Sequence, residues 1–271
     1  MSQKLINRSP DLKRLRDEGY EIEIRAGHIL THAIPYVNAN KQIQFGTLVS
    51  ELSLAGDTTV KPSTHVIYFK GEFPCSHQGV PIEQIRHTSS KQKLAAAIDV
   101  DHSFSNKPSA GYKDYYEKIT QYAMILSHPA KALDGDADPR TFKAIAESDD
   151  NSVFKYVDTA SSRAGIQAIS EKLSPQRIAI VGLGGTGSYI LDFIAKTPVQ
   201  EIHLFDEDNF LSHNAFRAPG AASFEDLCQA RKKVDYFAEI YSRMHSGVVA
   251  HPQKITKENA LDLAGFDYIF L

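Results

Sequence analysis

Four glycines and one aspartate with a fixed spacing are the residues of this sequence that best indicate chemistry. Gly182, Gly184, Gly185 and Gly187 lie in one six-residue stretch, and Asp206 lies nineteen residues beyond Gly187. In such a stretch the first glycine permits a tight turn, the next lets the backbone approach a phosphate, and the last lets a helix pack closely on a strand. A carboxylate at this distance can hold the hydroxyl groups of a ribose. The spacing therefore predicts a nucleotide-binding turn; the alternative is that Asp206 merely begins a polar loop.

The elements around these residues have the order that such a turn requires. The apolar run Ile178–Val181 shows no polar alternation, which is typical of a parallel strand that is covered on both faces. We predict a helix that opens at about Thr186 and continues through Tyr189–Lys196, followed by a second strand at Glu201–Phe205. The unpaired N–H groups and positive dipole end of that helix favour an anion. The pattern predicts an α/β Rossmann-like nucleotide-binding domain.

Polar residues after the second strand distinguish between nucleotide chemistries. Asp208, Asn214, Arg217 and Lys233 follow in that order. Arginine can engage phosphate oxygens in bidentate fashion and lysine supplies a mobile point charge, so both suit the charge that develops on a departing pyrophosphate. Taken alone, Arg217 fits an exposed loop arginine better, and Lys233 fits one member of a basic run on a solvated helix face.

In this order the sequence resembles the ThiF family, the ATP-dependent adenylating enzymes that include bacterial ThiF and MoeB proteins and the eukaryotic ubiquitin-activating enzymes. The resemblance covers about residues 178–271. It is carried by a doubled-glycine loop, an Asp-x-Asp at 206–208, an Asn-x-x-Arg at 214–217 and a lysine at the start of a helix. It implies that ATP binds here, with its ribose on Asp206 and with Asp208 as a second candidate. It also implies that Asn214, Arg217 and Lys233 face the triphosphate, the last two as catalytic residues.

The resemblance also implies an activity and partners. The expected reaction is adenylation of the C-terminal carboxylate of a ubiquitin-like or sulfur-carrier-like protein, and the expected assembly is a homodimer. In the family a magnesium-linked aspartate lies just beyond the third strand, so we expect the Mg²⁺ ligand beyond Leu271. Some relatives place an arginine from a helical lead-in within a partner's active site. Arg163 is the local candidate for that role, although an ordinary surface arginine explains it better.

Two features depart from the family pattern. The separation between Arg217 and Lys233 is a few residues longer than usual, with 218–222 as an inserted loop, so Lys232 is an equal candidate for the lysine. The sequence also ends on an apolar third strand at 266–271, which would expose a pairing edge. This ending predicts that the adenylation domain is C-terminally truncated.

The pattern along the chain predicts two domains and a connection. Residues 1–135 are predicted to form a smaller α+β domain of unknown function, residues 136–157 a linker, and residues 158–271 the partial ATP-binding domain. The predicted elements before the glycine loop are helices at 10–16, 112–126 and 158–173 and strands at 20–24, 29–37, 42–45 and 65–69. The tyrosines of the 112–126 helix are explained better by core packing than by a partner surface.

Other reactive side chains in the sequence give no site. Cys75 stands two residues before His77, but adjacent residues do not orient a nucleophile and its base, so we predict an unreactive cysteine. For Cys228 we predict a buried apolar role. The eleven histidines show no zinc-ligand pattern, so we predict no metal site among the residues of this chain.

The composition excludes several classes of protein. A hydrophobic fraction of 42% and a net charge of −3 are typical of a soluble globular protein and give no general excess of positive charge for nucleic acid. No apolar stretch approaches the roughly 20 residues needed to cross a bilayer. Two cysteines form no disulfide framework. We therefore expect a cytoplasmic protein, similar to bacterial ThiF-like proteins, with neither a nucleic-acid nor a membrane partner.

Two other functions share these features. A nicotinamide-dependent oxidoreductase has the same glycine turn and ribose acid, but it does not account for Asn214 and Arg217. A non-catalytic module that responds to nucleotide, with the N-terminal domain recruiting a protein, is the second alternative.

Overall fold

The chain divides into two units, Met1–Ile145 and Ala146–Leu271. The computed structural model describes residues 2–95, 97–144 and 152–271. The boundary between the units falls within the connection predicted at 136–157, and the exact domain bounds stay a prediction. The acidic run at 147–151 lies outside the described residues.

The first unit is an α+β structure built on an antiparallel sheet. Its elements are α1 (Ser2–Arg8), α2 (Pro10–Asp17), β1 (Ile22–Arg25), β2 (His28–Val37), β3 (Ile43–Glu51), β4 (Leu54–Ala55), β5 (Thr58–Thr59), β6 (Val66–Lys70), β7 (Arg86–Ala95), β8 (Ile98–Ser105) and α3 (Tyr115–Leu133). The six-stranded sheet has the order β1-β2-β3-β6-β8-β7. The predicted antiparallel α+β class is confirmed. The sequence analysis missed α1 and the β7–β8 pair. The strand pair was missed because β7 is a polar edge strand without apolar alternation.

Helix α3 packs its aromatic face into the core of this unit. Tyr115, Ile119 and Tyr122 are fully buried, so the prediction of core packing is confirmed. The Asp114 side chain accepts a hydrogen bond from the Glu117 N–H at 2.8 Å and starts the helix three residues later than predicted. The helix also continues past the predicted end to Leu133, with Pro129 inside it.

A lysine ammonium group is buried in this unit. Lys118 of α3 is fully buried, and its Nζ donates to Ser50 Oγ at 2.9 Å. Burial lowers the pKa of Lys118 to about 8, against a weaker opposing effect of Glu51. Between about pH 8 and 10.5 the folded protein has therefore lost the Lys118 proton, whereas the unfolded chain still holds it. The free energy of unfolding rises with pH over this range.

We expect the substitution Lys118→Met to raise the unfolding free energy at pH 7. The gain is at most about 3 kcal/mol, because a pKa shift of this size corresponds to that desolvation cost. It should shrink as the pH rises from 8 towards 10.5, which denaturant titrations at several pH values measure. Lys131→Met, at an exposed position of the same helix, is the matched control. A gain that does not change with pH would contradict this explanation.

The two cysteines differ from each other. Cys75 is buried, and burial raises the pKa of its thiol, as expected of an unreactive cysteine. Cys228 is exposed, so the prediction of a buried role for it was wrong. It lies in a short helix whose residues are all exposed or half-buried.

The second unit is built on a parallel sheet. Its elements are α4 (Ala160–Ala164), α5 (Gln167–Ser170), β9 (Arg177–Val181), α6 (Gly185–Ile194), β10 (Glu201–Phe205), α7 (Ser212–Ala215), α8 (Phe224–Cys228), α9 (Lys233–Tyr241), β11 (Val248–His251) and β12 (Tyr268–Phe270). All three strand pairs are parallel, and the order is β11-β10-β9-β12. The predicted Rossmann-like α/β class is confirmed.

Three details of this unit differ from the prediction. The helix predicted at 158–173 is divided into α4, α5 and a 3₁₀ turn at Glu171–Leu173, because Gly165 adopts a left-handed conformation with φ 68°. Helix α6 begins at Gly185, just before the predicted opening, and ends at Ile194. The strand near the end of the sequence is the fourth in chain order, because the short strand β11 had not been recognised.

The core of the second unit joins the sheet to two helices. Ile180 of β9 and Leu204 of β10 pack with Leu191 of α6 and with Val234 and Phe237 of α9, and all five are buried. Burying such side chains contributes about 1.5–3 kcal/mol each. This packing fixes the carboxyl ends of the strands, where the predicted site residues lie.

In the described part of the chain, no helix combines the length and the apolar character that crossing a membrane requires.

Candidate nucleotide-binding site

The glycine loop connects β9 to α6 in a turn that needs glycine at two positions. Gly182 has φ 88°, which side chains with a Cβ rarely adopt, and its N–H donates to Phe205 O at 2.7 Å. At Gly187 a Cβ atom would lie 1.9 Å from Gly182 O. The first and last glycines of the loop are therefore in close contact, and Gly187 allows α6 to begin directly against the end of β9.

A cavity of about 290 Å³ lies at this loop. Its lining combines the loop glycines with Arg217, with Phe270 at the end of β12 and with Leu271 after it. Strand β9 has β10 on one side and β12 on the other, so the chain changes direction across the sheet at this point. Ligands of open parallel sheets bind outside the carboxyl ends of the strands at such a switch point. The first N–H groups of α6 have no partner within a helix and favour an anion there.

Asp206 links the loop to two other segments. Its Oδ2 accepts a hydrogen bond from the Leu183 N–H at 2.7 Å, and its Oδ1 accepts one from the Asp208 N–H at 2.8 Å. The residue is buried, and Lys233 Nζ lies 3.4 Å from Oδ2. The carboxylate at the tip of β10 thus holds the middle of the glycine loop through the Leu183 amide.

The ammonium group of Lys233 contacts both carboxylates of the Asp-x-Asp motif. Its Nζ is 2.7 Å from Asp208 Oδ2, and the hydrogen bond from Lys233 lowers the pKa of the Asp208 carboxyl. The Asp208 side chain is 66% exposed, whereas that of Lys233 is buried. Lys232, the alternative lysine, is exposed and donates from Nζ to Glu207 O at 2.7 Å.

Asn214 and Arg217 occupy different places, although one motif predicted both. Asn214 Oδ1 accepts a hydrogen bond from the Leu211 N–H at 2.9 Å, so its side chain stabilises the start of α7. The guanidinium of Arg217 lies over Gly185, where an added Cβ would be 3.4 Å from Arg217 Nη2. The structure therefore brings Arg217, but not Asn214, to the cavity.

The predicted site residues form two groups that share the loop. Gly182, Gly184, Gly185, Gly187 and Arg217 line the cavity. The second group is Asp206, Asp208 and Lys233, joined to the loop through Leu183 N–H. The sequence analysis missed Leu183 and the end of β12. Leu183 acts through its main chain, which no residue type reveals, and β12 contributes only because of the strand order.

The described residues contain no cluster of metal-ligating side chains. Among residues 2–95, 97–144 and 152–271, no three His, Cys, Asp or Glu side chains lie close enough together to hold a metal ion. We therefore assign no magnesium ligand and derive no step through the ion.

Two family models match the sequence. The model described as "Domain of unknown function (DUF6791)" matches residues 10–159, which is more than half of the chain. The model described as "ThiF family" matches residues 159–271. No curated protein matches the sequence.

Solved structures similar to this chain include three from E. coli. The tRNA N6-threonylcarbamoyladenosine dehydratase TcdA in complex with AMP has 22% identity and a TM-score of 0.36; the match covers 40% of this chain and 45% of TcdA. The same protein in complex with ATP has 23% identity, a TM-score of 0.36 and the same coverage. MccB with MccA-N7isoASN has 20% identity and a TM-score of 0.35, covering 41% of this chain and 33% of MccB. The chain thus spans less than half the length of each.

Proposed function

The chain belongs to the family described as a domain of unknown function, DUF6791, and continues into a ThiF-family region; on that premise we propose that it binds ATP and adenylates a substrate carboxylate. The observation that supports this proposal most strongly is the cavity at the switch point of the parallel sheet. It combines the glycine loop, the start of α6 and a guanidinium. These three features together favour a phosphate chain.

The proposed reaction joins two anions. A carboxylate oxygen attacks the α-phosphorus of ATP, a new P–O bond forms, and the bond to pyrophosphate breaks, giving an acyl-adenylate and free pyrophosphate. The protein needs no nucleophile of its own in this step, so its contribution is to position the reactants and to stabilise charge. Arg217 is the basic residue among the described residues that line the cavity, and we assign it the stabilisation of the phosphate charge.

The finer assignments complete the proposal. The ribose lies at Asp206, with Asp208 beside it, and the phosphates lie along Gly182, Gly184, Gly185 and Gly187. The acceptor is the C-terminal carboxylate of a ubiquitin-like or sulfur-carrier-like protein, and the active assembly is a homodimer. ATP would bind as its magnesium complex, since substrate phosphates commonly hold this ion together with one or two carboxylates.

Pyrophosphate exchange tests the proposal directly. The protein containing this chain is incubated with ATP, labelled pyrophosphate and candidate carrier proteins encoded near it. Label should enter ATP only when a carrier with a free C-terminal carboxylate is present. Exchange that is absent with every such carrier, although ATP binds, would favour the non-catalytic nucleotide-responsive module. Binding of NAD in preference to ATP would favour the oxidoreductase.

We expect Arg217→Ala to slow this exchange about 10²- to 10³-fold while weakening ATP binding much less. The reason is that a fixed cation acts mainly on the charge that develops in the transition state. The measurement is the exchange rate at saturating ATP together with the Kd for ATP. Arg243→Ala is the matched control, since that arginine is exposed just after the end of α9 and pairs with Glu239. Equal, small effects of the two substitutions would contradict the role of Arg217.

A further inference from the structure

The ammonium group of Lys233 lies among carboxylates at the start of α9. It is buried, and it contacts Asp208 Oδ2 at 2.7 Å, Asp206 Oδ2 at 3.4 Å and Asp206 Oδ1 at 3.5 Å. In the described part of the chain, the residues that line the cavity include Arg217 but not this lysine. Its position therefore differs from that of a cation directed at phosphates.

Main-chain hydrogen bonds hold Lys233 in this place. Its N–H donates to Asp208 O at 2.9 Å, and the Phe210 N–H donates to Arg231 O at 2.7 Å. Asn209 and Lys232 form a bridge between the same two segments. These main-chain bonds fix the start of α9, and moving the Lys233 ammonium away from the carboxylates would separate a buried ion pair.

We propose that Lys233 is a positioning residue, which pairs with the buried Asp206 carboxylate, holds it against the Leu183 amide, and so fixes the glycine loop. This inference rests on the proposed binding of nucleotide at that loop. Burying a carboxylate is costly unless it is paired and hydrogen-bonded, and Asp206 accepts the Leu183 and Asp208 N–H groups beside the ammonium of Lys233. The ammonium supplies the pairing charge. The effect of the lysine on a ligand then passes through Asp206 and the loop, without contact with the β- and γ-phosphates.

The comparison of AMP with ATP distinguishes the two roles. AMP has the ribose and the α-phosphate but lacks the two outer phosphates. A positioning lysine acts on the parts that both nucleotides share, so Lys233→Met should weaken AMP and ATP binding by the same factor, tenfold or more. Lys232→Met changes an exposed neighbouring lysine and should leave both dissociation constants unchanged. Calorimetric titration of the wild type and of each variant with AMP and with ATP gives, for each variant and each nucleotide, the ratio of its Kd to that of the wild type. A loss of ATP affinity with unchanged AMP affinity would overturn the inference.

A second measurement needs no nucleotide. In denaturant titrations, Lys233→Met and Asp206→Asn should each lower the unfolding midpoint, because each removes one charge of the buried Lys233–Asp206 ion pair. The double variant removes both charges. Its loss of unfolding free energy should be clearly smaller than the sum of the losses in the two single variants. Additive losses would overturn the inference. If the wild-type protein binds neither nucleotide, the proposed function fails, and this cycle still decides the role of Lys233.

Discussion

Gly187→Ala is expected to unfold the nucleotide-binding unit or to lower its unfolding free energy by about 3 kcal/mol or more. The added methyl group would lie 1.9 Å from Gly182 O. This contact is with main chain in the glycine loop, so relief requires that β9 and α6 move apart, and overpacking of this kind costs about 1–3 kcal/mol or more. Denaturant titration of the full chain, with ATP binding measured in parallel, gives both expected losses.

Gly184→Ala is the matched control for this substitution. Gly184 has φ −74°, and no atom lies within 4 Å of its added Cβ. The fold should therefore remain, with an unfolding free energy unchanged or raised by about 0.4–1 kcal/mol, because alanine restricts the unfolded chain. ATP binding should still weaken, since the methyl group stands where a phosphate approaches the loop. Equal stability of the Gly184 and Gly187 variants would contradict the packing described for Gly187.

Asp206→Ala is expected to abolish ATP binding and to lower the unfolding free energy by about 3–5 kcal/mol. It removes the acceptor of the Leu183 and Asp208 N–H groups and leaves Lys233 as a buried cation with one fewer carboxylate. Loss of binding follows from both the missing ribose ligand and the released loop. Calorimetric titration with ATP and denaturant titration measure the two effects.

Asp235→Ala controls for the removal of an aspartate from the same region. Asp235 is exposed in the first turn of α9, where its interaction with the helix dipole contributes about 0.3–1 kcal/mol. ATP affinity should be unchanged in this variant. An Asp206 variant that binds ATP as tightly as the Asp235 variant would remove Asp206 from the site.

Local backbone requirements explain why the glycine loop was predictable from sequence. The turn at Gly182 and the close approach at Gly187 each demand a residue without a Cβ, and these demands stand at fixed positions between a strand and a helix. The same holds for Asp206, because the carboxyl end of the next parallel strand necessarily lies beside the loop. Local spacing therefore predicted the Rossmann-like unit and the end of the sheet at which a ligand would bind.

Side-chain partners were not predictable in the same way. Asn214 and Arg217 belong to one motif, yet one stabilises its own helix and the other lies over Gly185. Lys233, for which the resemblance implies a place at the phosphates, contacts two aspartates in the structure, because α9 begins alongside residues 208–210. These placements depend on contacts between segments that are distant in sequence. Strands β7 and β11 were missed for a related reason, since hydrogen bonds to neighbouring strands define them more than apolar alternation does.

Titration of the full chain with ATP and, separately, with NAD is the most direct test of nucleotide binding at the glycine loop. Isothermal titration calorimetry of the wild type and of Asp206→Ala gives the four binding curves. We predict that the wild type binds ATP in preference to NAD and that the Asp206 variant binds neither. Tighter binding of NAD, or ATP binding that survives the loss of Asp206, would contradict the account.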